Sequence, residues 1–354
     1  MSTAGRQLLI TVDVIDGNNN SMAKNKKKSK TATKKKVPKK TNKKPFLMII
    51  LAGLVALVLY MVVFKGTERG ANKPNSVVVG PVDLCRKIPP LTKKHGMKEP
   101  LMIDLRQQGF EGLRIIEAKE NGKILQMEEW DDAGHLGPYT LDEDGNIYTS
   151  PVPYVSLEIN KQEDQNRIMK VDGKSGEMYE YIRFPYPTSF SHNNPYGVMG
   201  LAYDCQTKSI YASSLAGSSP DKEQGIIYQV NAKTKEIISK LEGIDAIGIN
   251  IFVTKTGKRL YYGSAREPEV FSIALDDEGR FKGSPSFEFS LMAQKGGSAD
   301  RAHRIRFSQS NGMEVKGIEF SYSLMAASDP LRNIYNFVYD RAKDDWISKG
   351  VHKQ

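Results

Sequence analysis

Along residues 100–354 two kinds of β-hairpin alternate, and this alternation restricts the fold more than any other feature. The first kind is seen at 168–178 (IMKVDGKSGEM) and 227–237 (IYQVNAKTKEI): a β-rich run, a polar turn and a second run. Looser copies turn at Glu120-Asn121-Gly122, between Asp276 and Gly279, and between Asp340 and Asp345. The second kind precedes four of these, at 138–148, 200–211, 249–261 and, more weakly, 303–312. There an apolar strand meets a turn led by Asp, Thr or Ser and returns as an Ile/Leu-Tyr strand. Two hairpins make four strands, and successive units lie roughly 45–65 residues apart, which suits propeller blades with some long loops. No long amphipathic segment separates the strands, which argues against a parallel α/β sheet. A β-sandwich leaves the alternation unexplained. The pattern predicts an all-β chain: a β-propeller of five or six four-stranded blades over 100–354. Residues 65–99 read as a linker, with 76–79 as a candidate ring-closing strand.

The N-terminal sequence has a different character. Residues 46–64 read FLMIILAGLVALVLYMVVF, nineteen residues without a charge. At about 1.5 Å per residue this nearly spans a hydrocarbon core of roughly 30 Å, and no polar face interrupts it. A cleaved signal peptide has a shorter apolar region, so an uncleaved signal anchor fits better. The single transmembrane helix is therefore expected ahead of the propeller.

The formal net charge of +10 is local. Twelve lysines and no acidic residue lie between Lys24 and Lys44, and without the first 45 residues the chain is close to neutral, near −1. Residues 1–45 thus read as a disordered, Lys-rich tail, and a lysine run next to an apolar span is a topology signal that places the N-terminus in the cytoplasm. Nucleic acid is not the expected partner. Everything after about residue 65 is then extracytoplasmic, most simply in a bacterial periplasm, since no Asn-x-Ser/Thr acceptor follows the span. Met22, just before the lysine run, is an alternative start. The two cysteines, Cys85 and Cys205, both fall in the exported part, where an oxidising compartment permits a bridge that the sequence leaves open.

In a propeller the connections between blades share one face with the loops inside each blade that carry sites. Here those connections hold Asp131, Asp132 and His135, then His192, Asn193 and Asn194, then Asp300, Arg301 and His303. Carboxylates and imidazoles converging at a channel mouth can bind a cation or polarise a substrate. Solvated loops are polar as well, so each residue has a bland reading beside the functional one.

The runs LDEDGNIY (141–148) and GLAYD (200–204) with Ile210-Tyr211 resemble the propellers of the gluconolactonase/regucalcin and strictosidine synthase group, and NHL-type repeats. The lactonase resemblance implies a divalent metal, typically calcium, held by polar residues just before the inner strands. The matching positions here are Gly137, Met199, Ile249 and His303, of which only His303 offers a ligand atom. Two functions follow as expectations. The first is a membrane-anchored extracytoplasmic propeller that binds a ligand or partner protein as a recognition or scaffold module. The second is a metal-dependent, lactonase-like hydrolase using Asp131, Asp132, His135, Asn194 and His303.

Overall fold

A computed structural model of the chain describes residues 78–105, 109–153, 159–186, 194–323 and 332–353. The predicted tail (1–45) and membrane span (46–64) lie outside them. Among the described residues no helix is long and apolar enough to cross a membrane.

An N-terminal arm carries β1 (Gly80–Pro81) and one helical turn, α1 (Leu91–Lys94). Five antiparallel sheets follow in chain order. Blade 1 holds β2 (Leu101–Asp104), β3 (Arg114–Glu117) and β4 (Ile124–Leu125). Blade 2 holds β5 (Leu136–Leu141), β6 (Ile147–Pro151), β7 (Arg167–Val171) and β8 (Met178–Arg183). Blade 3 holds β9 (Val198–Asp204), β10 (Ser209–Ser214), β11 (Ile226–Asn231) and β12 (Ile237–Glu242). Blade 4 holds β13 (Ala246–Thr254), β14 (Gly257–Ser264), β15 (Glu269–Leu275) and β16 (Phe281–Ser290). Blade 5 holds β17 (Arg301–Phe307), β18 (Gly312–Ile318), β19 (Asn333–Asp340) and β20 (Asp345–Lys353). The protein is a five-bladed β-propeller, which settles the choice between five and six. The expectation of four strands in every blade is corrected at two places. Blade 1 has three strands among the described residues, and blade 4 gains β1, which pairs with the end of β13.

The repeat seen in the sequence is a repeated piece of turn chemistry. Between the first and second strands of blades 2 to 5, Asp142, Asp204, Thr254 and Ser308 each use a side-chain oxygen to accept a backbone N–H further round the turn. Between the third and fourth strands, Asp172, Asn231, Asp276 and Asp340 do the same. Such Asx and Ser/Thr turns close the hairpin without help from its neighbours, so blades 2 to 5 each carry one at both places.

Four seams between blades are apolar. Leu101, Ile103, Ile115 and Leu125 of blade 1 pack on Leu141, Ile147 and Val171 of blade 2. Tyr148 and Ile168 of blade 2 pack on Leu201 and Ile210 of blade 3. Tyr211 and Ile227 then pack on Ile251 and Leu260 of blade 4, and Phe252 and Tyr261 on Ile305 and Met313 of blade 5. In each of blades 2 to 4 the Ile or Leu of the second strand faces the preceding blade and its Tyr faces the next. Near the axis the strands meet backbone to backbone. A Cβ on Gly200 would lie 2.7 Å from the Ile247 carbonyl oxygen, and one on Gly248 would lie 2.6 Å from the Ala302 and His303 carbonyl oxygens.

The N-terminal arm crosses the face that carries the hairpin turns. The Cys205 N–H donates to the Val82 carbonyl (3.3 Å), Lys87 N–H to Asp142 (3.1 Å) and Leu91 N–H to Gly173 (2.9 Å). The disulfide that the sequence left open is formed: Cys85 is bonded to Cys205, tying the arm to the first turn of blade 3.

Candidate functional site

The described loop-face residues are taken up by different parts of the fold. Asp131 and Asp132 lie exposed on a 3-10 turn, Glu128–Ala133, and Asp131 accepts a hydrogen bond from Gln126. His135 is buried at the head of β5, where its N–H donates to Asn160 Oδ1 (2.7 Å) and desolvation, opposed by Glu111, lowers its pKa. Asn194 is a buried loop clamp: its amide donates to the Leu215 (2.7 Å) and Ser218 (2.9 Å) carbonyls and its oxygen accepts the Tyr196 N–H. Asp300 accepts from Asn333 Nδ2 (2.7 Å) and the Tyr335 hydroxyl (2.9 Å). Arg301 ties blade 5 to blade 4 by donating to the Ala265 (3.1 Å) and Arg266 (2.6 Å) carbonyls. His192 and Asn193 lie outside the described residues. Among the described residues no group of three or more His, Cys, Asp or Glu side chains is placed to hold a metal ion. Met199 and Ile249, at two positions where the lactonase resemblance implies ligands, are core side chains.

His303 alone leads to an unusual place, the first strands of blade 5. Along β17, Ala302 and Ile305 join the apolar seam with blade 4, and strand alternation sends Arg304 and Arg306 to the opposite face. On β18, Met313 and Val315 join the same seam and Glu314 and Lys316 turn away. Arg304 stands opposite Lys316 and Arg306 opposite Glu314. Blade 5 thus presents toward blade 1 an ionic face where blades 2 to 4 present aromatic and aliphatic ones. Glu314 occupies the place of Tyr148, Tyr211 and Tyr261.

The charges on this face are crowded. Lys316 is 6% exposed, and burial together with Arg306, Arg304 and Arg332 pushes its pKa down to about 8 against a pull from Glu314. Arg304 is driven down to about 10, first by desolvation and then by Arg306. Its guanidinium lies 6.0 Å from the centre of the Tyr139 ring on β5 of blade 2. Half-buried His303 is pushed down to about 3 by desolvation and then by Arg304, Arg332 and Lys316. A side chain near the axis can touch water and still be surrounded by protein, so the imidazole stays neutral.

Elsewhere among the described residues the buried carboxylates Asp204 and Asp245 are paired with cations. Asp204 meets Lys258 at 2.7 Å. Buried Asp245 takes Arg266 at 2.8 Å, the Gly225 N–H, and the hydroxyls of Ser218 and Tyr322. Arg304, Arg306 and Arg332 make no hydrogen bond or ion pair among the described residues, though each is half-buried. The facing side of blade 1 carries Met102, Asp104, Arg114, Ile116 and Ile124 by the same alternation. Ile124 is 62% exposed and Val338, on blade 5, is 38% exposed, so the outer part of this seam is open.

Sequence reasoning named His303 and missed the four cations around it. The signal was present: in the weakest repeat, 303–312, charges alternate on an inner strand, and Met313-Glu314 breaks the Ile/Leu-Tyr rule.

No family model matches the chain, and no curated protein does. Solved structures are similar to it at low identity. One is a hypothetical selenium-binding protein from Sulfolobus tokodaii, with 11% identity, TM-score 0.41, covering 78% of this chain and 81% of that one. Another is a protein from Lactobacillus plantarum, with 11% identity, TM-score 0.42, covering 72% of this chain and 66% of the other. The β-propeller domain of Cps50 (Swd1) from Myceliophteria thermophila is similar at 10% identity and TM-score 0.37, over 66% of this chain and 65% of that one.

Proposed function

We propose that this chain is a membrane-tethered, extracytoplasmic β-propeller that binds a ligand or partner, a recognition module facing a bacterial periplasm. The observation that carries this reading is the Cys85–Cys205 disulfide. Structural disulfides persist in oxidising compartments, and this one lies on the far side of the apolar span from the lysine run. Binding is favoured over hydrolysis because Asn194, one of the residues the hydrolase reading would use, is engaged in bonds that hold the fold, and Asp131 and Asp132 lie on an exposed turn. The test is a topology reporter fused after Gln354, paired with protease added to spheroplasts. Activity of a periplasm-dependent reporter and digestion from outside are expected. A reporter active only in the cytoplasm, with residues 66–354 protected, contradicts the proposal.

A further inference from the structure

We propose that the open face of blade 5 is a binding site for a small polyanion bearing phosphate or carboxylate groups, gripped by Arg304, Arg306 and Arg332. The proposal rests on the reading of the propeller as a binding module and names its ligand chemistry. Four observations converge on it. Three half-buried guanidinium groups on one face lack an ion pair or hydrogen bond among the described residues, whereas Lys258 and Arg266 are paired with buried carboxylates elsewhere. On this face Arg304 and Arg306 are neighbours along β17, and among the described residues of the β17–β18 ladder one acid, Glu314, stands across from Arg306. Exposed Ile124 and Val338 show that the outer seam is not packed shut. Finally, the part of the chain after the lysine tail is near neutral, so this charge is a local concentration and not a basic surface.

The chemistry follows from the residue types. Arginine presents a planar fork of donors that matches the oxygens of phosphate and carboxylate, and it keeps its charge when half-buried. Tyr139 beneath Arg304 holds one fork in place. Neutral His303 adds a ring nitrogen beside the cations without a further charge.

The full chain in neutral detergent is titrated calorimetrically with pyrophosphate, with citrate, and with glucose as an uncharged control. Binding of pyrophosphate alone assigns phosphate chemistry, binding of citrate alone assigns carboxylate chemistry, and binding of both assigns a general polyanion site. Arg306→Gln and Arg332→Gln should each weaken that binding by roughly 10-fold to 100-fold, the worth of a charge-assisted hydrogen bond. Without ligand, both variants should melt at or above the wild-type temperature, because crowding of like charge is relieved. No heat with either anion, or unchanged affinity in both variants, overturns the proposal. Lower melting of both unliganded variants assigns the arginines to the fold and overturns it as well. The topology reporter is indifferent to all of these outcomes, so failure of the anion site and failure of the tethered-module reading are separable.

Discussion

Lys316 stands directly across the β17–β18 ladder from Arg304, a cation opposite a cation. Burial first, and then Arg306 and Arg304, depress the pKa of the lysine, and the shift bears on stability. The lysine has a pKa of about 8 in the folded chain, against about 10.4 when unperturbed. Between these values the unfolded chain holds the proton and the folded chain does not, so stability rises with pH across that window. The full penalty is present below pH 8. Urea unfolding of wild type and Lys316→Met between pH 7 and 10 should show the variant more stable at pH 7, by about 1–3 kcal/mol, with the gap closing as pH rises. A gap independent of pH contradicts the assignment.

His303 gives the acid counterpart. Its folded pKa of about 3 lies below an unfolded value of about 6.5, so the unfolded chain binds the extra proton between them. Stability from this group is present above pH 6.5 and is lost as pH falls toward 3. Replacing His303 with Asn should flatten the part of the stability profile between pH 6 and 4 relative to wild type. Equal slopes for the two proteins would remove the half-buried, cation-ringed histidine from the account.

Gly248 and Gly200 let inner strands touch. An Ala at 248 places its Cβ 2.6 Å from backbone atoms of Ala302 and His303, which cannot move without shifting β17. Gly248→Ala should cost about 1–3 kcal/mol or more, the range of overpacked cores. Melting at the wild-type temperature would show that β13 and β17 are further apart.

Asp245 and Asp132 separate a structural carboxylate from a solvated one. Asp245 is buried with Arg266, Ser218 and Tyr322 bonded to it, and its replacement by Ala removes the nearest carboxylate of Arg266 and the acceptor of both hydroxyls, at a cost of about 3–5 kcal/mol. Asp132 is exposed, and Asp132→Ala should change stability by no more than about 0.5 kcal/mol, with or without calcium. A calcium-dependent rise in melting temperature that Asp132→Ala abolishes would restore the metal site that the lactonase resemblance implies.

The bridge joins residues 120 apart in sequence. Closing a loop of that size in the unfolded chain is worth about 4–5 kcal/mol in the chain-entropy model, and native disulfides deliver about 2–5 kcal/mol. Cys85→Ser, compared with wild type in urea, should lose an amount in this range. A loss below about 0.5 kcal/mol would mean that the arm is held by its backbone bonds alone.

The blade plan was legible because it is local chemistry. Asp142, Asp204, Thr254 and Ser308 announce their turns within five residues, and Ile147-Tyr148, Ile210-Tyr211 and Leu260-Tyr261 announce the strands that leave them. Blade 1 was poorly legible because β3 and β4 are short and the acceptor at the head of their turn is Glu117, which takes the Lys123 N–H, where the other blades use Asp, Asn, Thr or Ser. The bonds of the loop-face residues were illegible for a different reason. Asn194 and Asp300 look like ligands in a string of letters, but which carbonyl or hydroxyl each one meets depends on residues 21–35 positions away. The cationic face needed register as well as sequence. Arg304 and Lys316 are twelve apart, and only the pairing of β17 with β18 places them opposite each other.

The exported position of the propeller is tested most directly by trapping thiols in intact cells. Cells are quenched in acid, and the protein is treated with a mass-tagged maleimide before and after reduction. The account predicts no labelling of Cys85 or Cys205 until a reductant is added, then two tags per chain, because the bridge forms in an oxidising compartment. Two tags without reduction, in protein taken from growing cells, would place the domain in a reducing compartment and contradict the account.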